Sequence, residues 1–263
     1  MTSGPAEYLR RGPDGSRRRL RIDPAYAGLS DFALSLPELW EEGRGNTIFS
    51  KRNTVRLFTE GETVLAVKRF ARLHGPKRLI YTYFRSSKGA RAFDYSFRYN
   101  AAGIPTPAGV ACLEVYRGRL LSDVYLLTLR SDGTELFGPL VDADDFDRPL
   151  AAGAAHFILR MHRAGIMHRD PNMRNILHRR LPDGTVRYEA IDINRSAFCS
   201  RGWTRAQIVR NLARLTHRRD LLKFMVETYA AEAGVAAAPL YAAVEAAVRR
   251  IERNRALRHR LKS

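Results

Sequence analysis

The sequence predicts an α+β fold with two lobes, a β-rich first lobe and a short, mostly helical second lobe. Short runs with alternating apolar residues fill the first half of the chain. After residue 142, apolar residues recur at helical spacing instead. With 45% hydrophobic and 27% charged residues, the composition is that of a globular protein. We divide the chain into a basic flexible arm or hairpin (1–18), a first lobe (19–130) and a second lobe (131–263).

The first lobe is predicted to hold strands and one embedded helix, preceded by a short amphipathic helix over residues 31–40. Alternating residues predict three antiparallel strands within 46–70, because Gly61 and Glu62 form a tight turn between the last two. The segment "SSKGARAFDYSFRYNAAG" predicts a helix with a serine N-cap that ends before Gly103. Residues 104–133 predict two further strands.

The second lobe is predicted to begin with a long helix that starts in the acidic run from residue 142 and ends at Gly165. Phe157, Ile158 and Met161 lie at helical spacing within it. The run "VRYEAIDI" predicts a short buried strand. From residue 201 onward the pattern is helical.

The formal charge of +18 is large for 263 residues and favours an anionic partner such as nucleic acid, a phospholipid surface or a phosphorylated substrate. A well-solvated basic surface is the alternative explanation. The sequence lacks the interleaved aromatic and basic residues of RNA-binding motifs, so no nucleic acid is expected.

The cysteine pattern and the apolar segments predict a cytoplasmic location. Cys112 and Cys199 are far apart and outside any CxxC pattern, so neither a disulfide framework nor a zinc site is expected. The first residues contain no apolar core of a signal peptide. The alanine-rich segment 230–248 is interrupted by Glu232, Pro239 and Glu245 and should not span a bilayer.

The run "HRDPNMRN", followed by "YEAIDI", carries the groups that phosphoryl transfer requires. Asp170 is the candidate catalytic carboxylate, which accepts a hydrogen bond from an acceptor hydroxyl and orients it for attack. Asn175 and Asp192 are the candidate ligands of Mg²⁺, through an amide oxygen and a carboxylate. The order of these motifs along the chain is that of protein kinases and predicts a protein-kinase-like fold.

The first lobe offers candidate groups for binding ATP. Lys68 ends the apolar run "LAVKRF", where a lysine reaches the α- and β-phosphates. Asp94, in the middle of the embedded helix, is the candidate carboxylate that holds this lysine. Gly43 and Gly45 have the G-x-G spacing of a phosphate-covering turn, and Arg52 is the candidate cation that assists it.

Several departures argue against an ordinary protein kinase. Asn172 stands where protein Ser/Thr kinases place a lysine, two residues after the catalytic aspartate. Asp192 is followed by "INR" rather than "FG", and no A-P-E motif follows. These features indicate an acceptor other than an extended peptide.

The sequence resembles the lipopolysaccharide kinase (Kdo/WaaP) family over roughly residues 20–200, in "KRN", "GIPTP", "HRDxNxxN" and "IDINRxxF". The resemblance implies a protein-kinase-like fold and transfer of the ATP γ-phosphate, with Mg²⁺, to a sugar hydroxyl near lipid A. It assigns the roles described above to Lys68, Asp170, Asn175 and Asp192. Asp94 replaces the family's usual glutamate.

The sequence-based hypothesis is therefore an ATP-dependent phosphotransferase that phosphorylates an inner-core sugar, Kdo or heptose, of lipopolysaccharide. The "HRDPNMRN" run also departs from the common family form, because Arg174 stands where a glycine is frequent. This change predicts an altered acceptor pocket. A protein Ser/Thr or other small-molecule kinase, and a non-catalytic kinase-like scaffold, are the alternatives.

The C-terminal part of the sequence is strongly basic. Residues 195–263 contain 15 Lys/Arg against 5 Asp/Glu. Val244, Val248 and Ile251 fall along one side of the last predicted helix. One interpretation is peripheral docking to the inner face of the cytoplasmic membrane through anionic phospholipid or lipid A phosphates. The other is a solvated helix that packs its apolar residues on the second lobe.

Overall fold

The structure is a computed structural model that describes the backbone of residues 4–260 and the side chains of residues 4–257. The described chain divides into two compact units. The first contains residues 4–101 and 107–131, and the second contains residues 102–106 and 132–260. The first unit is rich in β-strands and the second is mostly helical, so the predicted fold class is confirmed.

The first unit is built on an antiparallel seven-stranded sheet, in the order β1-β2-β6-β7-β5-β4-β3. The strands are β1 (Ala6–Arg11), β2 (Arg17–Ile22), β3 (Asn46–Ser50), β4 (Thr54–Glu60), β5 (Thr63–Arg69), β6 (Gly109–Arg117) and β7 (Leu120–Leu129). Its helices are α1 (Ser30–Glu41), α2 (Pro76–Leu79), which continues as a π-helical turn over Ile80–Phe84, and α3 (Lys88–Ala101).

Two apolar layers cover the two faces of this sheet. Leu113 of β6 and Leu127 of β7 belong to the layer that contains Trp40 of α1. Their neighbours along the strands point to the other side, where Leu126 packs in the layer with Phe93 of α3. The period-two alternation of a strand therefore buries both faces of β6 and β7, which is why these strands read as nearly continuous apolar runs.

The first strand pair includes most of the segment predicted as an arm or hairpin. Strand β1 pairs with β2 over the whole register from Ala6↔Ile22 to Arg11↔Arg17, and β2 in turn pairs with β6. Arg18, in β2, is 3% exposed, and its guanidinium contacts the carboxylates of Glu38 and Asp14. A buried charge is tolerated only with such partners, so this hairpin is joined to α1 by an ion-pair cluster.

The described second unit contains four α-helices, two short helical turns (Gly138–Asp142 and Ile193–Arg195) and several short strands. The helices are α4 (Arg148–Arg163), α5 (Arg205–Leu212), α6 (Arg219–Ala233) and α7 (Ala237–Arg260). The strands are β8 (Thr134–Glu135), β9 (Ile166–Met167), β10 (Ile176–Arg180), β11 (Val186–Ala190) and β12 (Ala197–Phe198). They form a three-stranded sheet in the order β11-β10-β8 and the pair β12-β9.

Helix α4 begins at Arg148, just after the acidic run from residue 142 in which its start was predicted, and it ends before Gly165 as predicted. The Asp147 side chain accepts a hydrogen bond from the backbone N–H of Leu150 and caps the first turn. Gly165, just after the helix, has a φ of +70°, and a Cβ there would lie 2.4 Å from the carbonyl oxygen of Cys199. Only glycine suits this tight reversal.

Helix α7 buries part of its apolar side in the second unit. Val244 is 0% exposed and Val248 is 5% exposed, whereas Ile251 is 40% exposed. Two of the three apolar residues of the predicted stripe thus pack inside this unit. Within residues 4–260, no helix has the length and apolar character needed to cross a membrane.

Candidate active site

A β-hairpin brings Asn175 and Asp192 next to one another. Ile176 pairs with Ala190 at the open end of the β10–β11 hairpin. One residue further, the backbone N–H of Ile191 donates a hydrogen bond to the carbonyl oxygen of Asn175 at 2.9 Å. The two candidate metal ligands therefore flank the same hairpin end, although 17 positions separate them in the sequence.

The "GIPTP" segment supports the strand that leads to Asp192. The backbone N–H of Ala190 donates to the carbonyl of Pro105 at 3.0 Å. The hydroxyl of Thr106 donates to the carbonyl of Ala190 at 2.7 Å. Both backbone groups of Ala190 are thus satisfied by this segment, which gives the motif a physical role in positioning the end of β11.

Asp192 has a left-handed backbone. Its φ of 56° is the only positive φ of a non-glycine residue in the described chain. Aspartate tolerates this region better than most residues, but the conformation is uncommon and concentrates at functional sites. The Asn194 amide donates to its Oδ1 at 2.6 Å, which holds the carboxylate in a defined orientation.

The loop that carries Asp170 is closed by its own side chains. The Asn172 amide donates to Asp170 Oδ1 at 3.0 Å. The Asn175 amide donates to the carbonyl oxygen of Asp170 at 2.8 Å. Because its nitrogen is engaged in this way, the side-chain oxygen of Asn175 remains the acceptor atom.

The His168 ring makes hydrogen bonds both to the loop that carries Asp170 and to the strand end before Asp192. Its Nε2 lies 2.9 Å from the carbonyl oxygen of Ile191, and its Nδ1 accepts from the backbone N–H of Asp170 at 3.1 Å. A carbonyl only accepts, so Nε2 carries the proton and the ring is neutral. Burial lowers the pKa of His168, opposed by the hydrogen bond to Ile191. The imidazole thereby joins the Asp170 loop to the strand end before Asp192.

A series of buried, hydrogen-bonded side chains from three helices supports the same loop. The Asn211 amide on α5 donates to the carbonyl oxygen of His168 at 2.7 Å. Its Oδ1 lies 3.1 Å from Nε2 of His162, whose Nδ1 lies 3.0 Å from the Tyr229 hydroxyl. Since Asn211 Oδ1 only accepts, His162 donates from Nε2 and accepts a hydrogen bond from the Tyr229 hydroxyl at Nδ1. Burial lowers the pKa of His162 to about 4, so this ring too is neutral.

The residues of this hydrogen-bonded series lie 43 to 67 positions from their partners. Asn211, His162 and Tyr229 were not predicted from the sequence. A lone histidine or asparagine in a helix carries no local signal of such a role, because its partners come from distant segments of the chain.

The oxygen atoms of Asn175 and Asp192 fit the chemistry of Mg²⁺. Mg²⁺ binds oxygen ligands, keeps several waters and takes only one or two carboxylates from a protein. Among the described residues no cluster of three or more His, Cys, Asp or Glu side chains could hold a metal. A two-residue oxygen site that leaves the remaining positions to phosphates and water suits this cation.

The Arg174 side chain is held beside this loop by two contacts. Its guanidinium carbon lies 3.3 Å from the centroid of the Phe137 ring, and its Nη1 lies 3.4 Å from Glu135 Oε2. Its backbone N–H donates to Asn172 Oδ1 at 3.0 Å. Stacking on an aromatic ring fixes the direction of the guanidinium.

Lys68 and Asp94 lie in the first unit, on β5 and α3. Lys68 stands between Val55 and Leu126 in the sheet register, and its ammonium lies 5.3 Å from the centroid of the Phe70 ring. The Asp94 carboxylate accepts from Arg21 Nη1 at 2.9 Å. The Lys68–Asp94 contact stays a prediction.

The segment with Gly43 and Gly45 forms the turn after α1. Both glycines have positive φ, and a Cβ on Gly45 would lie 2.7 Å from the Phe58 ring. Gly45 is therefore required for both its backbone conformation and its close packing. Arg52 is exposed in the turn between β3 and β4. Their predicted roles at the phosphates stay predictions.

Comparisons with known proteins give a family match and a similar solved fold. Residues 41–232 match the model of the lipopolysaccharide kinase (Kdo/WaaP) family. A solved structure described as "WaaP in complex with acyl carrier protein" superposes with a TM-score of 0.56 at 19% identity, covering 90% of this chain and 97% of that chain. That likeness shows a shared fold. No curated protein matches the chain.

Proposed function

Because the chain belongs to the lipopolysaccharide kinase (Kdo/WaaP) family, and so to a family of phosphotransferases, we propose that it phosphorylates an inner-core sugar, Kdo or heptose. In this reaction the oxygen of a sugar hydroxyl bonds to the γ-phosphorus of ATP. The bond from that phosphorus to the β–γ bridging oxygen breaks, and ADP leaves. ATP supplies the phosphoryl group, and bound Mg²⁺ neutralises phosphate charge.

The observation that carries this proposal is the single hydrogen-bonded framework around Asp170, Asn175 and Asp192. His168 bonds to the backbone on both sides of it, at Asp170 and at Ile191. Phosphoryl transfer depends mostly on positioning and electrostatics, so a rigid backbone frame of this kind is what the chemistry requires. We assign Asp170 to orient the acceptor hydroxyl and take up its proton. Asn175 and Asp192 would hold Mg²⁺, which would bridge and neutralise the phosphate oxygens.

The groups in the first unit complete the proposed machinery. Lys68 would bind the α- and β-phosphates as a point charge. Gly43, Gly45 and Arg52 would cover the phosphates. Asp94 would hold Lys68, in addition to its contact with Arg21.

A sugar is favoured over a peptide as the acceptor because of Asn172. In protein Ser/Thr kinases a lysine occupies this position. Here the Asn172 side-chain amide donates a hydrogen bond to Oδ1 of Asp170. The Asn172 side-chain oxygen in turn accepts a hydrogen bond from the backbone N–H of Arg174. The loop thus forms a turn closed by its own hydrogen bonds, and the remaining Asp170 oxygen would be available to a hydroxyl.

The acceptor places the proposed site of action at the inner face of the cytoplasmic membrane. Lipopolysaccharide precursors are carried by that membrane, and the formal charge of +18 favours association with its anionic surface. We propose a cytoplasmic protein that associates peripherally with this membrane.

A transfer assay tests the proposed reaction. Purified protein, radiolabelled ATP and Mg²⁺ are incubated with lipopolysaccharide core acceptors that lack the phosphate, with a general kinase substrate protein in parallel. We expect label in the core acceptor, and loss of labelling in Asp170→Asn. Asp145→Asn is the matched control, because Asp145 is exposed in the same unit. Labelling of the substrate protein alone would identify a protein kinase, and no transfer to any acceptor would favour a scaffold.

A further inference from the structure

Helices α5 and α7 line a groove whose rim is formed by arginines. The groove has a volume of about 720 Å³ and lies within the second unit. Four guanidinium side chains surround it, from Arg205, Arg210, Arg250 and Arg253. The other lining residues are Val209 and four alanines, so the rest of the described lining is apolar. This site is separate from the residues assigned above to catalysis.

The rim arginines are available to an anion. Arg205 donates to the carbonyl of Pro239 at 3.1 Å, which anchors one guanidinium at the groove. Within the described part of the chain no ion pair is found for Arg210, Arg250 or Arg253. Among the residues whose side chains the structure describes, no Asp or Glu lines the groove. Four cations with no opposing carboxylate create a strongly positive site.

The acidic residues of α7 are neutralised elsewhere. Glu245 pairs with Arg249 at 2.9 Å, one turn along the same helix. Glu252 pairs with Arg219 of α6 at 2.7 Å. The carboxylates of this helix therefore do not compensate the charge of the groove.

The lining favours a phosphorylated amphiphile over a nucleic acid. Single-stranded nucleic acids bind by stacking bases on aromatic side chains, and the described lining of this groove contains no aromatic residue. The alanines and Val209 instead offer an apolar surface for a glycerol backbone and the first methylenes of an acyl chain. Arginine forms strong paired hydrogen bonds to phosphate oxygens.

We propose that the α5–α7 groove is a docking site for the phosphate headgroups of an anionic phospholipid membrane. This inference rests on the proposed function only in that the acceptor is membrane-borne. It also gives α7 a docking face that differs from its buried stripe, because Val244 and Val248 are packed inside the unit. The helix would lie on the membrane through its arginines.

Vesicle co-sedimentation of the full chain tests the site. The vesicles contain phosphatidylcholine alone or phosphatidylcholine with phosphatidylglycerol. We expect binding to the anionic vesicles only, and about thirtyfold weaker partitioning for Arg210→Gln with Arg250→Gln, at roughly tenfold per 1.4 kcal/mol and about 1 kcal/mol per arginine. The matched control is Arg201→Gln with Arg255→Gln, which removes the same charge from exposed positions that do not line the groove.

Three other results would each contradict the proposed docking site. Equal weakening by both double variants would show that binding follows net charge. Inorganic phosphate that competes at the same phosphate concentration would indicate a free phosphate site. Binding of a single-stranded RNA, lost in the groove variant, without vesicle binding would indicate nucleic acid. Circular dichroism melting of the groove variant, expected to match the control, verifies that it is folded.

The docking site and the proposed kinase reaction can fail separately. Labelling of a core acceptor dispersed in detergent should be unchanged in the groove variant, because no membrane is present. Asp170→Asn should still bind anionic vesicles like the unaltered chain. An unaltered chain that labels the core acceptor but does not bind anionic vesicles would contradict the docking site alone. An unaltered chain that binds anionic vesicles but transfers no label would contradict the kinase reaction alone.

Discussion

The Asn211 side chain on α5 donates a hydrogen bond of 2.7 Å to the carbonyl oxygen of His168, two residues before the candidate catalytic Asp170. This bond is buried, and the other end of the Asn211 amide contacts His162. The position of the loop thus depends on a helix more than 40 residues later in the chain.

Removing this anchor should weaken both stability and catalysis. For Asn211→Ala, a buried carbonyl of His168 loses its donor, and His162 loses its acceptor. Leaving buried polar groups unpaired costs about 1–3 kcal/mol. We expect the free energy of unfolding to fall by about this amount and kcat to fall more than KM rises. Urea unfolding and steady-state kinetics measure these two effects.

Asn100→Ala is the control for this prediction, because Asn100 is exposed on α3. Unchanged kcat in Asn211→Ala, with the loss of stability present, would restrict Asn211 to a purely structural role.

Acid should destabilise the protein through His162. Its folded pKa of about 4 lies below the usual 6.5 because of burial. At a pH between these two values, His162 is protonated in the unfolded chain but neutral in the folded chain. The free energy of unfolding therefore falls as pH decreases from 6.5 to 4. The complete effect is on the order of 3 kcal/mol. His168, whose pKa is also lowered by burial, acts in the same direction.

Unfolding curves between pH 7 and pH 4 check this effect. His162→Gln removes the titration and should flatten the decline, although it lowers stability at pH 7. His156→Gln, at an exposed position on α4, should follow the unaltered protein. A His162→Gln profile parallel to that of the unaltered protein would show that other groups cause the acid sensitivity.

Asp192→Asn should separate the charge of this residue from its backbone conformation. Asparagine tolerates the left-handed region as well as aspartate does, so the fold should be retained. A metal ligand supplies several kcal/mol to such chemistry, and we expect activity to fall about a hundredfold or more. Half-maximal activity should require a higher Mg²⁺ concentration. An unchanged Mg²⁺ dependence would exclude Asp192 as a metal ligand.

The role of Lys68 can be tested independently of its partner. We expect Lys68→Ala to raise KM for ATP by about tenfold or more, because one charge-assisted contact to the phosphates is lost. Lys77→Ala, at an exposed position of α2, should have no effect. Equal KM values in the two variants would remove Lys68 from the ATP site.

Asp94 has two candidate partners, Arg21 and Lys68. The ion pair with Arg21 is partly exposed, so its loss in Arg21→Gln should cost at most about 1 kcal/mol of stability and leave KM for ATP unchanged. If Asp94 also holds Lys68, Asp94→Ala should raise KM for ATP and add little to the effect of Lys68→Ala. Fully additive effects would contradict the Lys68–Asp94 contact.

Local patterns predicted most of the regular elements but missed some of them. Alternation identified β3, β4 and β5 almost to the residue, and helical spacing identified α3 and α4. The π-helical turn at Ile80–Phe84 and the two-residue strands β8, β9 and β12 were not predicted. Such short elements have too few residues for a period and exist only because a neighbouring segment supplies their hydrogen bonds.

The sequence by itself determined the fold class, the family resemblance and the candidate residues Asp170, Asn175 and Asp192, because residue type and spacing along the chain express these properties. Only the tertiary structure decided how the three are held. The hairpin register, the neutral tautomer of His168 and the anchor from Asn211 all arise from hydrogen bonds between segments far apart in sequence. The arginine-rimmed groove was decided in the same way, because its charge is concentrated only where α5 packs beside α7.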